Sequence, residues 1–275
     1  MRPEGINHAT LGLGFAALAL ALKVQAQIVR RIRTDGGQVR TDEWRMPDAL
    51  VALVLAVAFV ALGIGAALRR GGASEAVKIE QVLPGSLFFP VLVVGVAAFL
   101  RYRGLRLVPA LGLARLGPGR VFGWALGLVL VAFVFAGMAN VLTLAALQGK
   151  AEQQPLVNLF RDVAQRGDTA AMAKIFFAGV ILAPVSEEFI FRGFFYAVGK
   201  RYLGPLASGF ATALLFAAFH LSLTAVAGLF TLAVCLTLAY ERTGSLLVPI
   251  GMHAIFNFTS LCVVWLSAKG GVPTP

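Results

Sequence analysis

Long apolar runs separated by short polar stretches dominate the sequence. Seven runs stand out: Ala49–Leu68, Leu83–Leu100, Val121–Leu147, Ile175–Val198, Leu206–Phe219, Leu223–Tyr240 and Leu246–Leu266. A helix rises 1.5 Å per residue, so crossing a hydrocarbon core of about 30 Å takes about 20 apolar residues. Most of the runs meet that length. Leu206–Phe219 is short unless the turn beyond His220 extends it. An eighth run, Thr10–Leu22, is marginal. The pattern predicts an all-α, polytopic bundle of seven or eight spans, with residues 1–275 forming a single membrane domain. One further segment has a helical period but is not a span. After Pro155, the residues Leu156, Leu159, Phe160 and Val163 fall at i, i+3, i+4 and i+7, which marks a short amphipathic helix. It suits an interfacial helix or, alternatively, a gate over a substrate path.

Composition sharpens this picture. Hydrophobic residues make up 59% of the chain and charged residues 13%, about half the charged share of a soluble domain. Mean hydropathy is +0.83. The net charge of +11 would suit nucleic acid, but the Lys and Arg residues sit mainly in short loops between spans. That is the positive-inside pattern of a membrane protein, and nucleic acid is not an expected partner. With eight spans, the loops Lys23–Asp48, Arg101–Arg120, Lys200–Pro205 and Glu241–Ser245 share one face and hold fourteen Lys and Arg. The N-terminus, Arg69–Val82, Gln148–Lys174 and the C-terminus share the other face and hold nine. The first face is predicted to be cytoplasmic, in a multi-pass protein of the cell (inner) membrane. Val24-Gln25-Ala26 resembles a signal-peptide cleavage site. The Arg-rich loop that follows it favours retention of the first run as a span. Cys235 and Cys262, the only cysteines, lie in apolar runs and suggest neither a disulfide framework nor a Cys-based zinc site.

The spans are not uniformly apolar. Glu187, Glu188 and Arg192 lie near the middle of Ile175–Val198, where each charge costs at least about 2.5–3.5 kcal/mol. Glu188 and Arg192 are spaced i, i+4 with the acid first, the favourable order for an intrahelical pair. Glu187 points about 100° away and has no partner in its own turn. Pro184, three residues earlier, removes a backbone donor and disturbs the helix. Two of the three histidines are also within spans. Phe216 and His220 are i, i+4, and so are His253 and Asn257. Alone, such a His suits a packed, hydrogen-bonded residue and such an Asn suits interhelical glue. A free Glu, two His and an Asn on three spans form a candidate site. Counting from the predicted cytoplasmic ends gives depths of about 18 Å for Glu187, about 20 Å for His220 and about 10 Å for His253, a mismatch that the sequence leaves open.

"EEFIFR" (Glu187–Arg192), "FAAFH" (Phe216–His220) and "HAIFN" (His253–Asn257) resemble the EExxxR, FxxxH and HxxxN/D signatures of the CPBP family, the CAAX proteases and bacteriocin-processing enzymes also called the Abi family. The order and the span placement match. The resemblance covers residues 174–266 as a catalytic core, and the first 170 residues match no motif. It implies an intramembrane endopeptidase built as a helical bundle with a water-filled cavity. Glu187 and His220 would then activate a water, and His253 and Asn257 would bind the oxyanion. Glu188, Arg192 and Phe216 would support the site or contact the substrate. The resemblance implies no cofactor and no metal. Its substrate would be a membrane-associated peptide or protein. Eukaryotic members cut prenylated CAAX proteins, whereas the Ala-, Leu-, Gly- and Arg-rich composition here points to a GC-rich bacterium and a different substrate.

Two alternatives stand beside this one. Glu, His and His could instead ligate zinc, although the chain has no HExxH helix. The same residues could serve a non-proteolytic protein, either an immunity or scaffold protein that keeps the fold or a proton relay.

Overall fold

The computed structural model describes residues 8–69, 78–148 and 155–270. All regular elements among them are helical. In chain order they are α1 (His8–Asp35), α2 (Met46–Arg69), α3 (Ile79–Ser86), α4 (Phe88–Tyr102), α5 (Leu107–Ala110), α6 (Pro118–Ala146) and α7 (Pro155–Arg166). There follows a long helical run, Thr169–Phe219, then Val226–Thr243 and Leu247–Gly270. Seven stretches among the described residues are long and apolar enough to cross a membrane. Large apolar side chains such as Leu53, Val54, Val91, Leu130 and Val141 are exposed on the outside of the bundle, while Glu188, Arg192 and Glu241 are buried inside it. This is the arrangement expected of a polytopic helical bundle whose solvent is lipid.

The 51-residue run Thr169–Phe219 is two helices. Gly204 has φ 77° and ψ 168°, a conformation essentially reserved for glycine, and Pro205 follows with φ preset to start a helix. The arms, residues 169–203 (α8) and 205–219 (α9), fold back on each other. Ser208 Oγ donates to Tyr196 O at 3.0 Å, and the Phe191 and Phe216 rings meet at 5.1 Å. Both pairs straddle Gly204, the ring pair almost symmetrically, as an antiparallel hairpin requires. Splitting this run makes eight crossings, the upper of the two expected counts. The marginal first run proves to be the start of a 28-residue helix. The last two helices, Val226–Thr243 and Leu247–Gly270, are α10 and α11.

The four basic loops that the sequence assigns to one face do meet at one end of the bundle. Glu241 is buried there and accepts from the Gln38 backbone N–H at 2.8 Å, Tyr196 Oη at 2.7 Å and Lys200 Nζ at 2.6 Å. Lys200 also donates to Val39 O at 2.8 Å. Arg103 pairs with buried Asp48, and Leu246 N donates to Leu111 O at 3.1 Å. Much of the opposite face, namely the N-terminus, residues 70–77, residues 149–154 and the C-terminus, lies outside the described residues.

This geometry removes the depth mismatch. Glu187 is seventeen residues before Gly204 and His220 sixteen after it, so the hairpin brings them to one level. The α10–α11 turn is held at Tyr196 and Lys200, short of the Gly204 tip, and Leu246 packs on Gly193. His253 therefore reaches the level of Glu188 within two turns of the start of α11. α9 alone is shorter than the about 20 residues a crossing takes, so the turn after His220 completes that crossing within the membrane. Leu221 takes a left-handed φ of 50° there. Irregular backbone at that depth is tolerated where it borders protein or a wet cavity, and this turn borders one.

Candidate active site

The site begins with the backbone of α8, which changes register twice around the two glutamates. Residues Phe177–Leu182 and Phe189–Tyr196 form wide π turns, and Ala183–Glu188 between them is α-helical. Such turns frequently mark functional sites. In the first, Ala183 N donates to Ala178 O, an i to i−5 bond. The next bond in that register would run from residue 184 to Gly179 O, but Pro184 has no N–H. Asn257 Nδ2 fills the vacancy, donating to Gly179 O at 2.8 Å. The proline on α8 and the asparagine on α11 are thus two halves of one feature. Ser186 Oγ turns back onto the carbonyls of Leu182 and Ala183.

The expected pair is present and larger than expected. Arg192 Nη1 donates to Glu188 Oε1 at 2.8 Å, with both side chains fully buried. His253 Nδ1 lies 2.9 Å from the same oxygen, so α11 is tied to the pair. Arg192 Nη2 donates to Ala233 O on α10 at 3.0 Å, and the guanidinium lies 4.7 Å from the centre of the Phe216 ring. A buried pair is weak evidence for net stability, but removing one partner strands a charge at a cost of about 3–5 kcal/mol. Phe216 is central to the cluster. Its ring also packs 4.7 Å from that of His220 and 5.8 Å from that of His253.

Glu187 stands apart from this network, as its place on the helix predicts. Its nearest charged neighbour is His253 Nε2 at 4.0 Å, too far for a hydrogen bond, and Glu187 Oε2 has no hydrogen-bond partner. It faces a cavity of about 440 Å³ that is also lined by His220, His253 and Asn257. His220 Nδ1 lies 2.8 Å from Phe216 O. A carbonyl can only accept, so Nδ1 carries the proton and Nε2 is left as an acceptor. All four residues expected to be catalytic therefore share one cavity, while Glu188, Arg192 and Phe216 are buried and outside its lining.

Residues 169–259 match the sequence model of the type II CAAX prenyl endopeptidase Rce1-like family. That segment, rather than the chain as a whole, is similar to the CAAX protease (CPBP) family whose motifs it resembles. The match spans α8 to most of α11, which are the elements that carry the site. No curated protein and no solved structure matches the chain. The matched family is one of prenyl endopeptidases, and the described residues hold seven span-capable stretches. The CAAX-protease segment does not account for the whole cavity. Asn140 of α6 and Leu156 and Val157 of α7 also line it. Sequence reasoning missed Asn140, although a lone carboxamide in the apolar span Val121–Leu147 was a legible signal. The bond from His253 to Glu188 and that from Asn257 to Gly179 left no signal in the sequence, because both depend on how α11 meets α8.

Among the described residues no three His, Cys, Asp or Glu side chains gather as a metal-ligand set.

Proposed function

We propose that the chain is an intramembrane endopeptidase in which Glu187 and His220 activate a water, and His253 and Asn257 receive the developing oxyanion. The observation that carries this is the unpartnered Glu187 carboxylate oxygen, in a cavity shared with His220, whose Nε2 is left as an acceptor. A general base must be a free acceptor near the water it deprotonates. Glu188 and Arg192 are paired with each other and buried behind the cavity, although Glu188 Oε2 and Arg192 Nε also lack a hydrogen-bond partner. The water oxygen adds to the scissile carbonyl carbon as its proton passes to Glu187. The carbonyl oxygen takes up the negative charge. Glu187 then returns the proton to the leaving amine as the C–N bond breaks. His220 Nε2 holds the second water hydrogen and fixes the line of attack.

The hydrogen bonds constrain how His253 acts. With Nδ1–H given to Glu188, neutral His253 has a bare Nε2 and offers the cavity no donor. It can donate to an oxyanion only as imidazolium, for which the Glu188 carboxylate 2.9 Å from Nδ1 is the counter-charge. Asn257 spends one N–H on Gly179 O and keeps a second for the substrate oxygen. The substrate class this supports is a peptide or protein associated with the membrane.

The test is cleavage of membrane-anchored peptides by purified full-length chain in lipid vesicles. Glu187→Gln and His220→Ala each abolish cleavage while the bundle stays folded. Asn257→Ala retains activity lower by about 10²–10³-fold, the usual cost of one oxyanion donor. Full activity in Glu187→Gln overturns the assignment of this site. Inactivation by chelator that zinc reverses overturns the water-activation roles and makes the same residues ligands.

A further inference from the structure

We infer that Asn140, on α6 and outside the family-matched segment, binds the backbone of the substrate peptide at the rim of the cavity. This rests on the proposal that the cavity is proteolytic. α6 is an apolar span from Pro118 to Ala146. Its outer half, away from the basic loops, carries two polar side chains, Asn140 and Thr143. Thr143 is satisfied within the helix, its Oγ donating to Ala139 O at 2.8 Å. Asn140 has no such local solution. Its carboxamide reaches across to α10 and lies directly on Gly228, where a Cβ would overlap Oδ1. Gly228 is buried and lines the same cavity as Asn140, Glu187, His220, His253 and Asn257.

Asn140 is exposed at the edge of the cavity and makes no hydrogen bond to a described residue, so its carboxamide is free to meet a ligand there. Its group offers one acceptor and two donors in a plane, the complement of the C=O and N–H that an extended peptide presents. Asn257 lies on α11 in the same cavity and Asn140 on α6, so the two carboxamides come from different helices. The arrangement fits a peptide strand held at one point by Asn140 while its scissile carbonyl meets Glu187 and Asn257. The bond is to substrate backbone and is present before and during the reaction. Its loss therefore weakens binding without slowing the chemical step.

The experiment uses the full chain in phosphatidylcholine–phosphatidylglycerol vesicles and a mixture of quenched fluorescent peptides with a lipid anchor, then the best-cleaved member for kinetics. Asn140→Ala is expected to raise KM about tenfold, the effect of losing two ordinary amide hydrogen bonds, with kcat changed less than about twofold and thermal stability unchanged. Asn140→Gln restores part of the affinity. Gly228→Ala, which pushes the flexible end of Asn140 aside, raises KM in the same way. Combined with Asn140→Ala it adds nothing, because the two act through one contact. Unchanged KM in Asn140→Ala overturns the inference while cleavage by the parent chain still stands. Additive effects of the two changes also overturn it, since Gly228 would then act by packing. A parent chain that cleaves no member of the mixture, or a Glu187→Gln chain that cleaves as well as the parent, overturns the proteolytic assignment and this inference with it.

Discussion

Glu187 and Glu188 are adjacent in the chain and chemically alike, yet the helix gives them opposite tasks. Glu188 points into the bundle, where Arg192 and His253 share one of its oxygens. Glu187 points into the cavity with an oxygen free. The register break at Pro184 has a similarly local consequence. Because the proline cannot donate to Gly179 O, that carbonyl depends on Asn257. Asn257→Ala therefore leaves a carbonyl unsatisfied at a cost of about 1–3 kcal/mol. In a Pro184→Ala background the backbone can supply the missing N–H, and the cost of Asn257→Ala should fall by roughly 1 kcal/mol. Thermal unfolding of the four chains in detergent checks this. Strictly additive losses would show that the proline and the asparagine are unrelated.

The element that matters most is the α8–α9 hairpin, since it places Glu187 and His220 on facing arms. Its tip relies on Gly204, whose φ of 77° and ψ of 168° suit no other residue. Gly204→Val should cost about 1–3 kcal/mol of stability and lower cleavage further than Asn140→Ala does, because the strain separates two groups of the proposed mechanism at once. Unfolding and cleavage measured on the same preparation decide it, and a Gly204→Val chain with parental stability and rate would remove the hairpin tip from the account. The amphipathic helix α7 has a clearer role here than in the sequence. Phe160, Val163 and Ala164 are buried while Leu156 and Val157 border the cavity. It packs on α11 and forms part of the cavity wall.

At the scale of the molecule, the basic loops interlock at one end, and α7, the His220 turn and the cavity lie toward the other. Orientation in the membrane is thereby a single binary choice for the whole bundle. The excess of Lys and Arg at the interlocked end predicts that this end is cytoplasmic. A reporter fused after Pro275 should then lie on the far side, and the cavity should draw its peptide from that half of the bilayer. A cytoplasmic reporter would reverse the orientation and put the cavity in reach of cytosolic substrates.

The sequence by itself determined the helical, membrane-spanning class, because lipid allows few backbone solutions and about 20 apolar residues announce one of them. It also determined the Glu188–Arg192 pair and the separateness of Glu187, since both follow from positions around one helix. The three motifs, each spanning five or six residues, carried the family resemblance for the same reason. What lay between helices was decided only by the tertiary structure. The crossing count needed the Gly204 reversal. The common depth of Glu187, His220 and His253 needed the α10–α11 turn to stop short of that tip. The bonds from His253 to Glu188 and from Asn257 to Gly179, and the place of Asn140 in the cavity, join residues 65, 78 and 88 positions apart. Local periodicity carries no information about such distances, which are set by the packing of one span against another.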